Sequence, residues 1–119
     1  MEVINLNEKF GLFNDHWSPK IVGELNGQEI KLAKVKGEFI WHNHKEEDEL
    51  FFIIKGKLKI EFREKTVELA EGEMIIVPKG VEHRPIAENE VLLMLFEPAN
   101  IKHTGEVKHA LTVEKYERL

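Results

Sequence analysis

The sequence predicts an all-β fold, an antiparallel sandwich or barrel, on three observations. Short apolar or alternating runs recur along the chain, turn residues separate them, and no long helical period intervenes. Residues 1 to 20 are mixed, and Ser18-Pro19 is expected to end a short helix or turn centred on Phe10 to Trp17. Ile21 to Leu25 and Glu29 to Lys36 read as a hairpin, because Asn26-Gly27 supplies the positive φ angles of a tight primed turn. Glu49 opens a strand through Ile54, and Lys55-Gly56-Lys57 turns the chain into Leu58 to Arg63. Strict alternation there sends Leu58, Ile60 and Phe62 to a core and the charged residues to water. Thr66 to Leu69 is a brief strand, Glu71-Gly72 a turn. Met74 to Val77 and Val91 to Phe96 are continuous apolar runs, as expected of strands covered on both faces. Pro98 to Leu119 is polar and weakly patterned.

Composition narrows the function classes. A chain of 119 residues suits one domain, residues 1–119, large enough to bury a core without disulfides or a structural metal. There are no cysteines, which leaves nitrogen and oxygen as metal donors. The net charge of −5, without a basic cluster, argues against nucleic acid as a partner. The N-terminus lacks the basic start and apolar stretch of a signal peptide, and no apolar run approaches the ~20 residues that span a bilayer. The expectation is a cytoplasmic protein with no membrane partner.

Chemistry concentrates in two segments. Gly37 to Gly56 carries His42, His44 and Glu49, and Gly72 to His83 carries Pro78-Lys79-Gly80 before its histidine. Side chains two apart on a strand share a face, so His42 and His44 can hold one ion together, with Glu49 as an anionic third ligand and His83 as a fourth. Taken singly, a strand histidine is usually half-exposed or hydrogen-bonded, and Glu49 ends an acidic run, Glu46 to Glu49, of the kind that is usually solvated. It is the joint spacing, and the five apolar residues that follow Glu49 without a break, that favour a metal site. Ile40 falls on the inward face with His42, while Phe51 and Ile53 share the face of Glu49; the three are expected as an apolar pocket wall. By the same alternation Phe39 and Trp41 face the other surface and Glu38 lies at the rim. Arg84 is expected to point away into a salt bridge. His16, His103 and His109 lie outside both segments and are read as surface or hydrogen-bonded residues.

These residues carry a resemblance: the chain is similar to a small single-domain cupin. The family's first motif is met by Gly37, His42, His44, Glu49 and Gly56, with four residues rather than five between Gly37 and His42. Its second is met by Gly72, Pro78, Gly80 and His83, with Ala87 in place of an asparagine. Neither departure touches a ligand position. The resemblance covers roughly residues 28 to 97 and implies a double-stranded β-helix, a jelly-roll barrel with the metal inside, flanked by a short N-terminal arm and a C-terminal tail. Both that arm and Asn100 to Glu106 also look like those of cupins labelled phosphomannose isomerase-like, a fold-level analogy that says little about substrate.

Three neutral imidazoles and one carboxylate reduce a dication's charge to about +1 and leave an octahedral ion about two open positions. Fe, Mn, Ni, Co and Zn all suit this donor set. Two readings follow. One is a divalent-metal-dependent enzyme, an isomerase or dioxygenase, acting on a small oxygen-rich chelating metabolite. The other is a metal-dependent binding or sensing module without turnover, favoured by the lack of an evident general base. Small cupins usually pair, and Val3, Ile4, Leu6, Phe10, Leu12 and Phe13 have no obvious place in a two-sheet core, so a homodimer with the arm packed across a neighbouring subunit is expected.

Overall fold

The computed structural model describes residues 1–99, 112–113 and 115–119; His103, His109 and the Asn100 to Glu106 segment lie outside them. In chain order the elements are α1 (Leu6–Phe10), β1 (Lys20–Leu25), β2 (Gln28–Glu38), β3 (Glu49–Lys55), β4 (Leu58–Phe62), β5 (Thr66–Leu69), β6 (Met74–Val77), β7 (His83–Pro98) and β8 (Glu117–Arg118).

The organising strand is β7. One of its edges runs antiparallel to β2 along nearly its whole length, from Glu38↔Ile86 to Gln28↔Pro98. The other edge is shared: β4 pairs with its beginning, Phe62↔His83 to Lys59↔Ile86, and β3 with its end, Lys55↔Leu92 to Leu50↔Phe96. Outward from these, β5 pairs with β4, β6 with β3, and β1 with β2. Inward side chains from β2 to β7 meet in one core that includes Ala33, Val35, Phe51, Ile53, Leu58, Ile60, Leu69, Val77, Leu93 and Leu95.

Local chemistry explains most element boundaries. Asn26 and Gly27 have φ of 51° and 77°, the left-handed pair that matches the twist of β1 and β2. The alternation of Leu58 to Phe62 gives a strand with Leu58 and Ile60 fully buried. The helix falls earlier than the sequence suggested, at Leu6–Phe10, because Asn5 caps it: its side-chain oxygen accepts from the Glu8 amide at 3.0 Å. His83 and Val91 to Phe96, read separately in the sequence, belong to one strand. The polar tail supplies β8, which pairs parallel with β1.

The two apolar runs behave differently. In β7, Val91, Leu93 and Leu95 enter the barrel while Leu92 and Met94 pack under Phe10 and Phe13 of the arm, so this strand is covered on both faces. In β6, Met74 and Ile76 are 61% and 55% exposed, contrary to the expectation that both faces are covered. The reason is that the arm reaches β1, β2 and β7 but nothing overlies β6 among the described residues. Leu6, Phe10 and Phe13 of the arm, for which the sequence offered no place in the core, fold back onto Val22 and Leu32 of their own chain, while Val3, Ile4 and Leu12 stay exposed. Burying each aromatic there contributes roughly 1.5–3 kcal/mol.

Candidate metal centre

Four side chains converge at one end of the barrel. Donor atoms of His42, His44, Glu49 and His83 all lie within 4.8 Å of one another, and all four residues are buried. Their placement comes from backbone pairing more than from strand alternation. β2 ends at Glu38, and His42 and His44 sit in an extended segment outside any regular strand. His42 is pinned to the start of β7 by a reciprocal pair of hydrogen bonds, its amide donating to the His83 carbonyl at 3.1 Å and its carbonyl accepting from the His83 amide at 2.9 Å. The Pro78-Lys79-Gly80 turn holds the other histidine: the Gly80 amide donates to the His44 carbonyl at 2.7 Å, and the Lys79 amide to the Asp48 carboxylate at 2.9 Å. Of the acidic run, Glu46 and Asp48 stay exposed, and Glu49, first residue of β3, turns inward.

The donor set fits a divalent transition metal. His44 Nε2, His83 Nε2 and Glu49 Oε1 are buried without a hydrogen-bond partner, which would be costly if nothing else satisfied them. The Nδ1 atoms of His42 and His83 each lie 2.9 Å from a main-chain carbonyl, those of Ile40 and Val81. A carbonyl only accepts, so both Nδ1 atoms carry the proton and both Nε2 lone pairs face the cluster. Glu49 Oε1 is 3.4 Å from His44 Nε2 and 3.5 Å from His83 Nε2.

Electrostatics keep the set in ligand form. Burial, reinforced by the neighbouring His83, lowers the His42 pKa to about 4, so its ring is neutral near pH 7. Burial alone would raise the Glu49 carboxyl, but the His44 and His83 rings close beside it outweigh that and hold the group below the ordinary carboxylate range. Behind Glu49 lies a charged cluster that the sequence reading missed. Lys31 Nζ is 2.9 Å from Glu97 Oε1 and 3.7 Å from Glu29 Oε1, and sits 4.0 Å from the centre of the Tyr116 ring. Burial first, and then the charge of Glu49, raise Glu97 well above the usual range against the pull of Lys31. The signal for this cluster was parity: Glu29 and Lys31 share a face with Ala33 and Val35, as Glu97 does with Leu93 and Leu95.

A cavity of about 30 Å³ adjoins His42 and Glu49, room for one or two water-sized groups. Ala33, Val35, Phe51, Leu93 and Leu95 wall it from the strands. Trp17 and Pro19 come from the arm, and Phe39 and Pro85 complete it. Of the expected wall, Phe51 is there. Ile53 is fully buried deeper in the core, and half-buried Ile40 does not line the cavity. Phe39 takes its place, 5% exposed and edge-on to His42 at 5.4 Å, because the chain leaves β2 before this point and strict alternation no longer applies. Glu38 is at the rim, exposed and 3.6 Å from Arg84; Arg84 points outward to Glu61 at 2.6 Å. His16 is paired at the surface with Glu90 at 2.7 Å.

A family model described as a cupin domain matches residues 28–97. The Bacillus subtilis protein YdbB is 39% identical over 64 residues, 53% of this chain and 57% of its own length, so the match spans little more than half of that relative. A cupin-2 domain protein from Shewanella frigidimarina, known by crystal structure, is 51% identical, with 81% of this chain and 94% of that one aligned at a TM-score of 0.80. The Neisseria meningitidis protein NMB1881 is 34% identical over 82% of this chain and 100% of its own, at a TM-score of 0.76. With more than half of its length matched by the family model, and the β7-centred barrel shared with these structures, the chain belongs to the cupin family and its fold is the jelly-roll barrel.

Proposed function

We propose that the chain is a mononuclear metal protein in which His42, His44, Glu49 and His83 hold one divalent ion, and that it acts on a small chelating metabolite in the cytoplasm. The observation that carries this reading is the set of buried, partnerless donor atoms on His44, Glu49 and His83, aimed at a common point. A bound ion of this class would supply Lewis acidity or redox chemistry at its open positions. The chain's own residues fix the donor orientation through the Ile40 and Val81 carbonyls, and the apolar walls keep bulk water from the site.

Among enzymatic readings the walls favour oxidative chemistry over isomerisation. Moving a proton between substrate carbons needs a carrier, and the cavity's titratable residues are His42 and Glu49, both committed as ligands. That same lack supports the second reading, a binding or sensing module without turnover. Dioxygen uptake by iron-loaded protein across a panel of small carboxylates separates an oxidative enzyme from the binding module, since uptake that depends on an added carboxylate and exceeds the iron present requires turnover.

Elemental analysis of protein purified without an affinity tag tests the site. About one transition metal per chain is expected, falling severalfold or more in His42→Ala, His44→Ala and His83→Ala and unchanged in His16→Ala. Full occupancy in a His42→Ala/His44→Ala double variant would sink the assignment. We also propose a two-fold homodimer formed through the arm, supported by the exposure of Val3, Ile4 and Leu12 at 98%, 44% and 63%. A monomer mass by light scattering at micromolar concentration refutes it.

A further inference from the structure

The cavity beside the metal centre has one wall unlike the others. Every other residue that lines it is buried, whereas Trp17 is only half-buried and therefore stands between the cavity and solvent. Trp17 belongs to the arm, not to the barrel, yet it is tied to β2 at two points and to the segment just beyond it at a third. Its amide donates to the Lys34 carbonyl at 2.9 Å, its indole Nε1–H donates to the Lys36 carbonyl at 2.9 Å, and its ring stacks on Phe39 at 4.6 Å and 16°. Its φ of 58° is a left-handed conformation that a bulky residue adopts only when its surroundings impose it. Trp17 packs against the core and on Phe39 at the edge of the metal cavity, in a backbone conformation that a glycine or asparagine would adopt with less strain.

Resting on the metal reading above, we infer that Trp17 is the specificity-determining residue of this site, and that the ligand it admits is a small chelating carboxylate with an apolar remainder. The chemistry of the walls gives the ligand class. A group bound beside His42 and Glu49 enters a space of about 30 Å³ whose other walls are aliphatic, aromatic or proline. Hydroxyls of a polyol or sugar would meet no partner there, and each buried unpaired hydroxyl is penalised. A net charge of about +1 on the loaded centre suits a monoanion. The size limit comes from Trp17 and Phe39, because the stacked pair fills the volume that a longer substituent would occupy.

The test uses the full chain loaded with Co(II), whose visible absorption changes as ligands bind, and titrates it with pyruvate, phenylpyruvate and gluconate. The parent is expected to bind pyruvate at least about tenfold more tightly than phenylpyruvate or gluconate. Trp17→Ala is expected to tighten phenylpyruvate about tenfold relative to pyruvate and to leave gluconate weak. Trp17→Phe, which keeps a stacking ring and loses the indole hydrogen bond, moves the same ratio in the same direction by less, and carries the test if the alanine variant does not fold. An unchanged phenylpyruvate to pyruvate ratio in a cobalt-loaded variant overturns the role of Trp17 while leaving the metal centre standing. Gluconate binding as tight as pyruvate in the parent overturns the ligand class. A parent that takes up no cobalt sinks the metal reading and this inference with it.

Discussion

His42 shows how one ring links folding to pH. Its pKa is lowered from 6.5 to about 4 in the folded chain, chiefly by burial, so between those values the unfolded chain binds the additional proton. Stability therefore falls as pH drops from about 6.5 to 4, by at most about 3 kcal/mol for this group. Glu97 works the other way, since a carboxyl raised in the folded state favours folding at lower pH. The contribution of His42 is isolated by comparing metal-free parent with His42→Asn in urea melts across that range. The parent is expected to lose stability on acidification more steeply than the variant, and parallel profiles would contradict the assignment. At this scale the ligand residues were legible in the sequence because motif spacing fixes them whatever the backbone does between. Phe39, Trp17 and the Lys31–Glu97 pair were not, because their placement depends on where β2 ends, how the arm returns, and the register between strands far apart in sequence.

At the scale of elements, the turn from β3 to β4 is the tightest constraint. Gly56 has a φ of 97°, and a Cβ added there would meet the Glu90 carbonyl oxygen at 3.1 Å and Val91 Cγ2 at 3.2 Å. Backbone strain and the close approach to β7 act together, so Gly56→Ala is expected to destabilise by about 1–3 kcal/mol in denaturant melts. A variant as stable as the parent would show that the turn relaxes away from β7. The strands themselves were largely legible: the alternation of β4, the Asn26-Gly27 turn and the short β5 and β6 all follow from local pattern. What the pattern did not carry was pairing. An apolar run reads the same whether its second face is covered by an arm, as in β7, or left open, as in β6, and only the tertiary fold decides between them.

At the scale of the whole molecule, the barrel depends on a strand that serves two neighbours in succession on one edge and a third along the other. Sequence composition and periodicity indicated an antiparallel barrel but could not reveal this sharing, since β7 reads as a histidine, a polar stretch and an apolar run. The sharing has a kinetic meaning. The amides of Leu93 and Leu95 lie in the stretch of β7 flanked by β2 and β3, so neither can meet solvent by the fraying of a single hairpin. Hydrogen–deuterium exchange at these amides is expected to proceed only through global unfolding, at a common free energy equal to that from denaturant melts. Because His83 opens the same strand, metal loading should slow both amides by one shared factor, whereas Met74 and Ile76 on the open strand exchange by local opening in either state. Unequal protection of Leu93 and Leu95 would mean that the barrel comes apart in stages.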